Sequence, residues 1–339
     1  PSCYACPIHC KREVEVDDGE YRIERPYGGP EYETIGAFGS NCDIDDLRAI
    51  TVANQLCNAY GLDTISTGMA VSFAMECFEN GLLTSKDTGG LDLRFGNAEA
   101  MVELTHRIGE REGLGDLLAE GPTRAARKIG GGAEAFVLDV KGQPLPMHEA
   151  RTRHGQAFGY AVSPTGADHM HNMWDEGLAR NQPAEAWQSL GIYESVPQTE
   201  LNPHKIRAYA AETSRRWLMN CISVCMFIPW SRDQVIEMVR AITGWETNQF
   251  ELLKVGERCI TMARLFNMRE GLTRDDDVLP PRLASPHASR TLNEKPVDPR
   301  VLDEMLTTYY GMMGWDPQTG APTEAKLHEL DIAWTAEPS

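Results

Sequence analysis

The sequence lacks any apolar run long enough to cross a bilayer. Its longest candidate, residues 218–230, is interrupted by Asn220 and Ser223 and is shorter than the roughly 20 residues that a membrane-spanning helix needs. Basic residues are also scarce, because 32 Lys and Arg stand against 50 Asp and Glu, a formal net charge of −18. This acidity argues against a nucleic-acid partner, since few cations are present to offset phosphate repulsion.

Internal repeats and low-complexity tracts are missing as well, and the cysteines do not form a dense set. Nine cysteines over 339 residues are an odd number, unlike the closely spaced, even sets of small secreted scaffolds. A reducing, cytoplasmic setting fits this usage better. The chain opens with Pro1 rather than Met, two residues before the first cysteine, so we expect that part of the natural N-terminus is missing.

The apolar content is that of a folded protein of about two domains. Hydrophobic residues make up 42% of the 339 residues, and a domain averages roughly 150 residues. Apolar side chains recur near a helical period in both halves, which predicts a mainly α fold with minor strand content in two domains, 1–145 and 146–339. Helices are predicted at 43–57 (with Asp43 as N-cap), 66–80, 97–112, 115–129, 205–219, 232–243, 250–266 and 301–310, and a strand is predicted at 135–140.

The first ten residues hold a cluster of thiols. Cys3, Cys6 and Cys10 form a C-x2-C-x3-C pattern, and soft sulfur ligands at this spacing are typical of iron–sulfur or zinc sites. Three cysteines need a fourth ligand from elsewhere, and either Cys221 or Cys225 is a candidate. Thiols that merely lie near one another are the alternative. Four other cysteines occur in helical or apolar contexts that are typical of core positions: Cys42, Cys57, Cys77 and Cys259.

Several segments together resemble the tungsten-containing aldehyde:ferredoxin oxidoreductases. They occur in that family's order along the whole chain and read CYACPIHC (3–10), GGPEYETIGAFGSNC (28–42), CNAYGLDTISTG (57–68), PMHEAR (146–151), GYAVSPTGADH (159–169), GERCITMARLFNMREGLTRDDDVLPPR (256–282) and YYGMMGWDPQTGAPT (309–323). The resemblance implies the family's second and third helical domains, with the N-terminal pterin domain missing.

The resemblance also implies cofactors. A [4Fe–4S] cluster would be bound by Cys3, Cys6, Cys10 and Cys225, with Cys221 left as a packing thiol. Two loops would hold a tungsten (or molybdenum) bis-pyranopterin, the first through Asn58, Gly61, Leu62 and Asp63 and the second through Asn220 and Val224. From the residues alone, Asp63 and Ser66 have a simpler interpretation as caps of the helix that begins near Ser66.

By the same matching, four side chains belong to the metal pocket: Tyr32, Glu33, His148 and His169. Glu31 is an alternative to Glu33, two residues away on what we expect to be one extended segment. A carboxylate in a dry pocket has a raised pKa and can take a proton from attacking water. An imidazole can donate to the carbonyl oxygen of an aldehyde. For His154 and His171 a satisfied core or surface histidine is favoured.

The sequence therefore predicts an oxidoreductase that oxidises small aldehydes to carboxylic acids. Electrons would pass through the cluster to ferredoxin or a partner subunit, and a homodimer or hetero-oligomer is possible. A basic patch at Lys11 and Arg12 would suit an acidic ferredoxin. Two alternatives stay open: a tungsten enzyme of the benzoyl-coenzyme A reductase type, and an isolated iron–sulfur electron-transfer module.

Overall fold

The computed structural model describes residues 2–17, 19, 21–180, 185–287 and 295–336. The chain forms two compact units, Pro1–His148 and Glu149–Ser339. Helices dominate both, and the strands of the described residues are two short antiparallel pairs, β1 (Val16–Asp17) with β2 (Arg22–Ile23) and β3 (Asp139–Val140) with β4 (Gln143–Pro144). The predicted mainly α fold is confirmed. None of the described helices has the length and apolarity to span a membrane.

The first unit contains six helices among its described residues: α1 (Tyr32–Phe38), α2 (Leu47–Tyr60), α3 (Thr64–Glu79), α4 (Ala98–Glu110), α5 (Leu114–Leu118) and α6 (Pro122–Ile129). The prediction of Asp43 as the N-cap of α2 is wrong. Asp46 takes that role, and its carboxylate accepts hydrogen bonds from the backbone N–H groups of Arg48 and Ala49. Asp43 instead adopts a left-handed conformation with φ of 57°.

Two further expectations for this unit are corrected. The predicted helix at 115–129 is two helices, because Gly121 adopts a φ of 88° and Pro122 starts a new helix there and donates no backbone hydrogen bond. The predicted strand at 135–140 is a 3₁₀ turn at Ala133–Phe136, and only its end pairs as β3. The core of the unit is built from α2, α3 and α4 around Met75, Met101 and Leu104.

Helix α1 is the element that positions the candidate pocket. Residues 31–33 were expected to be extended, and this holds for Glu31 but not for the next two residues. Tyr32 and Glu33 form the first turn of α1. The helix packs closely on α3, where a Cβ at Gly68 would lie 2.6 Å from the Cβ of Ala37. Because only glycine permits this approach, α1 is held firmly against the core.

The second unit contains seven helices among its described residues: α7 (His154–Val162), α8 (Glu185–Gln188), α9 (Pro203–Cys221), α10 (Arg232–Thr243), α11 (Gln249–Arg269), α12 (Pro299–Met313) and α13 (Glu324–Glu329). Helices α9 and α11 lie in close contact, since a Cβ at Gly256 would come within 1.8 Å of the Ser214 carbonyl oxygen. A cluster of aromatic side chains joins α7, α9 and α12: Phe158, Tyr209, Tyr309, Tyr310 and Trp315.

Candidate functional site

The three clustered cysteines lie in an irregular segment before β1. Cys3 and Cys10 are exposed and Cys6 is half-buried, and the Cys6 N–H donates to the Cys3 carbonyl at 3.0 Å. Ala5 and His9, the residues directly before Cys6 and Cys10, both have a φ of 52°. Left-handed backbone costs a residue with a Cβ about 1 kcal/mol. The segment therefore has a left-handed residue directly before each of two cysteines, Cys6 and Cys10.

The first predicted pterin loop follows the C-terminus of α2. Gly61 has a φ of 72°, and the Leu62 N–H donates back to the Cys57 carbonyl at 2.8 Å. The Asp63 carboxylate accepts from the Ser66 N–H at 2.7 Å, so Asp63 is the N-cap of α3. Asn58 donates to the Asn54 carbonyl within its own helix. One oxygen of Asp63 is thus committed to the cap. Asn58, Gly61 and Asp63 are exposed, and Leu62 is half-buried against the core.

The second predicted loop repeats this geometry at the C-terminus of α9. Ser223 takes the left-handed position with a φ of 57°. The Val224 N–H donates to the Met219 carbonyl at 2.9 Å, the same five-residue return as Leu62 makes. Asn220 donates to the Arg216 carbonyl within its helix, as Asn58 does. The two loops are therefore similar in backbone conformation, with Ser223 in the position that Gly61 has in the first loop. Cys225, next in the chain, is exposed.

Tyr32, Glu33 and His148 come together in the first unit. The Glu33 carboxylate contacts the His148 Nε2 at 2.8 Å and also accepts from the Met147 N–H at 2.8 Å. The Tyr32 ring stacks on the His148 ring at 5.3 Å, and its hydroxyl donates to the Met147 carbonyl at 3.1 Å. Only 14% of the Glu33 side chain and 10% of the His148 side chain are exposed. A carboxylate and an imidazole thus face each other in a nearly buried contact.

Glu31, the alternative to Glu33, has a different environment. Its side chain is 49% exposed and forms ion pairs with Lys11 at 3.6 Å and Arg12 at 3.9 Å. Ion pairs this exposed contribute little to stability. Glu31 is thus a solvated carboxylate, whereas Glu33 is nearly buried beside His148.

A cavity of about 470 Å³ lies beside Tyr32 in the same unit. Its walls are mainly apolar, and two guanidinium groups stand among them; the lining residues are Arg12, Val14, Val16, Ile23, Pro30, Tyr32, Ile35, Leu47, Arg48 and Thr51. This volume is in the range of small-molecule sites. The sequence did not point to it, because the lining comes from four separated segments, 12–16, 23, 30–35 and 47–51.

His169, the fourth predicted pocket residue, belongs to the second unit. It is half-buried, and its ring meets Trp174 edge to face at 6.4 Å. The preceding Asp168 holds the segment by accepting from the Met170 N–H at 2.5 Å and from the His171 Nδ1 at 2.7 Å. His171 in turn stacks on Trp217 at 4.5 Å. The segment that presents His169 is thus tied to α9.

The Asp168–His171 pair is an ordering element that sequence reasoning missed. Burial opposes the ionisation of Asp168, yet its hydrogen bond and charge interaction with His171 outweigh burial and hold the pKa of Asp168 below its ordinary value. Their spacing in Asp-His-x-His was the available signal. His154 matches the expectation of a satisfied core histidine: it is buried, and its Nε2 lies 2.9 Å from the Lys295 carbonyl.

Comparisons with known proteins agree with this architecture. The description "Aldehyde ferredoxin oxidoreductase, domains 2 & 3" belongs to the family model that matches residues 1–332. A tungsten-containing aldehyde ferredoxin oxidoreductase of Pyrococcus abyssi is 34% identical over 339 residues, covering 97% of this chain and 52% of the relative. An aliphatic sulfonate oxidoreductase, WOR-like subunit, of Pyrococcus furiosus is 29% identical over 342 residues, covering 97% of this chain and 50% of the relative.

Among solved structures, the active-site complex BamBC of benzoyl coenzyme A reductase has the same fold. The TM-score is 0.78 at 22% identity, over 98% of this chain and 52% of that one. This chain spans about half the length of the curated relatives it matches. It belongs to the aldehyde ferredoxin oxidoreductase family and corresponds to that family's second and third domains.

Proposed function

We propose that this chain forms part of a tungsten-dependent enzyme that oxidises small aldehydes to carboxylic acids. The observation that carries the proposal is the Glu33–His148 pair, a nearly buried carboxylate and imidazole 2.8 Å apart. Such a pair is suited to the proton transfers that the reaction requires. The overall change converts an aldehyde and water into a carboxylic acid, two protons and two electrons.

The chain offers residues that fit the cofactors of this chemistry. Cys3, Cys6, Cys10 and Cys225 would bind a [4Fe–4S] cluster, since all four thiols are free and accessible to some degree. The two loops after α2 and α9 would bind the paired pterins through exposed backbone groups and through Asn58, Gly61, Leu62, Asp63, Asn220 and Val224. When bound, the tungsten centre would supply two-electron redox chemistry and the cluster would supply one-electron transfer.

Each pocket residue has a defined task in this proposal. Glu33 accepts the proton of the water that adds to the carbonyl carbon, and His148 shares that proton through its Nε2. Tyr32 keeps the His148 ring in place by stacking and by its bond to Met147. His169 donates a hydrogen bond to the carbonyl oxygen, where negative charge develops.

The proposed electron acceptor is ferredoxin or a dedicated subunit of a hetero-oligomer. Lys11 and Arg12 follow Cys10 directly in the chain and are about half-exposed. In a protein of net charge −18, a local basic site beside the cluster motif would direct an acidic partner to it. If neutralising both residues left the electron-transfer rate and its salt dependence unchanged, this docking site would be refuted.

The general-base role is tested by Glu33→Gln in the full-length holoenzyme. We expect turnover of aldehyde to fall by about 10²-fold or more, which is typical when a positioned acid–base group is removed, while the tungsten and iron contents stay unchanged. Glu31→Gln is the matched control, because it removes a carboxylate two residues away that is solvated, and it should keep wild-type turnover. Equal activity of both variants would refute the role of Glu33.

Two rival substrate classes are separated by a screen of the purified holoenzyme. Aldehydes with a low-potential dye should be oxidised, whereas aromatic thioesters of coenzyme A and aliphatic sulfonates should not be turned over. Activity on thioesters alone would favour an enzyme of the benzoyl-coenzyme A reductase type. Cluster content without turnover of any substrate would favour the electron-transfer module.

A further inference from the structure

The cavity of about 470 Å³ in the first unit has an apolar closed end. Three of its lining residues are buried there: Ile23, Pro30 and Thr51. The Thr51 hydroxyl donates to the Leu47 carbonyl at 2.7 Å, so its hydrogen bond is made within α2. This end therefore suits a hydrocarbon group, because burial there removes apolar surface from water and costs the Thr51 hydroxyl no partner.

The open side of the cavity combines exposed apolar side chains with two guanidinium groups. Tyr32, Ile35 and Leu47 are exposed although they are large and apolar. Arg12 and Arg48 line the cavity as well, and 49% and 48% of their side chains are exposed. A ligand that filled the cavity would cover exposed hydrocarbon and would end beside a positive charge.

The charged groups at this open side leave an excess of one positive charge. Lys11 and Arg12 pair with Glu31 at 3.6 Å and 3.9 Å. Arg48 pairs with Asp46 at 3.5 Å. Three cations thus face two carboxylates, so a singly charged anion balances them better than a doubly charged phosphate does. A carboxylate has that charge, and its two oxygens match the paired N–H donors of a guanidinium.

Arg12 is held in a fixed position at the cavity. The Gly29 N–H donates to the Arg12 carbonyl at 3.1 Å, and the Arg12 Nη1 donates to the Pro30 carbonyl. A Cβ at Gly29 would lie 2.6 Å from the Arg12 Cγ, so the side-chain stem packs on the Gly29 backbone. Since a guanidinium has five N–H donors, Arg12 can bind a ligand while it keeps its bond to Pro30. Such preorganisation reduces the entropy cost of binding.

We propose that this cavity binds an amphipathic monocarboxylate, with its hydrocarbon chain at the closed end and its carboxylate at Arg12 and Arg48. Neither Glu33 nor His148 lines the cavity, so the inference does not rest on the proposed proton transfer. Tyr32 is common to both sites, because it lines the cavity and stacks on His148. A bound ligand would therefore restrict the movement of the Tyr32 ring.

Isothermal titration calorimetry of the full-length protein with octanoate tests this site. We expect saturable binding with a Kd below about 1 mM. Hexanoate should bind more weakly, by about fourfold for each methylene group that it lacks. Octylammonium has the same chain with the opposite charge, and inorganic phosphate has no chain, so neither should bind measurably. The absence of octanoate binding, as expected if a polypeptide segment covered the cavity, or equal binding of octylammonium would overturn the proposal.

Substitutions locate the binding site. Arg12→Gln and Arg48→Gln should each weaken octanoate binding by about tenfold or more, because each removes a charge-assisted hydrogen bond. Lys11→Gln is the matched control, since Lys11 is adjacent to Arg12 in the chain but does not line the cavity, and it should change the affinity by less than about threefold. An unchanged affinity in both arginine variants, or an equal loss in Lys11→Gln and Arg12→Gln, would refute the assignment.

Glu33→Gln separates this inference from the proposed function. Because Glu33 does not line the cavity, the variant should bind octanoate as wild type does even if it no longer turns over aldehyde. Loss of octanoate binding in Glu33→Gln would show that the two sites are one, and would overturn the proposal of a separate carboxylate site.

Discussion

Glu212 is a nearly buried residue of α9, and its carboxylate forms ion pairs with two arginines of the same helix. Its oxygens lie 2.6 Å from Arg215 and 2.8 Å from Arg216. Burial on its own would raise the pKa of Glu212, but the hydrogen bonds and charges of the two arginines prevail and lower it. The native state therefore holds fewer protons than the unfolded state, and ionised Glu212 stabilises the fold above the unfolded pKa of about 4.3.

We expect Glu212→Gln to lower the free energy of unfolding by about 3 kcal/mol at pH 7, because it leaves buried guanidinium groups without their counter-charge. The difference from wild type should shrink as the pH falls below about 4, where Glu212 itself becomes protonated. All seven tryptophans lie in the second unit, so tryptophan fluorescence in urea measures its unfolding. If the difference in unfolding free energy between Glu212→Gln and wild type stayed constant from pH 7 to pH 3, ionised Glu212 would not be the source of the stabilisation.

Glu103→Gln is the control for Glu212→Gln. Glu103 is 47% exposed and pairs with Arg107 one turn along α4, and exposed pairs of this kind contribute roughly 0.5 kcal/mol or less. Since α4 belongs to the first unit, its unfolding is followed by circular dichroism rather than by tryptophan. We expect Glu103→Gln to change the free energy of unfolding by a small amount that hardly depends on pH.

Among the elements, α9 and α11 form the helix pair on which the second predicted pterin loop depends. Gly256 permits their contact, since an added methyl group would lie 1.8 Å from the backbone of Ser214. Gly256→Ala should therefore cost about 2 kcal/mol or more, because the helices must separate. The contact also places the C-terminus of α9, and hence the Cys225 segment.

Gly311→Ala is the matched substitution in the same unit. Gly311 lies in α12 with no atom within 4 Å of its ideal Cβ position, so alanine should stabilise the helix by about 0.5–1 kcal/mol. The same fluorescence titration in urea compares both variants with wild type. If both substitutions changed the free energy of unfolding in the same way, helix propensity rather than the contact between α9 and α11 would determine their effects.

At the scale of the whole molecule, the proposed cluster has Cys3, Cys6, Cys10 and Cys225 as its ligands, and all four are free thiols. In the full-length protein, metal analysis should find about four iron atoms per chain together with tungsten or molybdenum. Zinc as the sole metal would contradict the proposal.

Substitution of two exposed cysteines, one at a time, identifies the fourth ligand of the cluster. Cys225→Ser should remove the visible absorption and the EPR signal of the cluster, whereas Cys221→Ser, four residues earlier and equally exposed, should retain both. The loss of the signals in both variants, or in neither, would refute the assignment of Cys225.

Much of this protein follows from short stretches of sequence. Helix α10 is predicted to the residue, and α9, α11 and α12 to within a few residues, because apolar periodicity and capping residues act over one or two turns. The spacing of the thiols in residues 3–10 and the loops that end α2 and α9 likewise depend only on residues close together in the chain. Errors arose where two local signals competed: Asp43 and Asp46 both suited an N-cap, and Gly121-Pro122 interrupted an otherwise helical pattern.

The sequence by itself determined the helical class, the family and the identity of the candidate ligands. Only the tertiary structure decided which side chains meet. Glu33 contacts the backbone of Met147, 114 residues later, and it lies in the first turn of α1, where an extended segment was expected. Such contacts depend on how packed elements approach one another, and that geometry results from many weak interactions distributed over the core rather than from any pattern among neighbours in the chain.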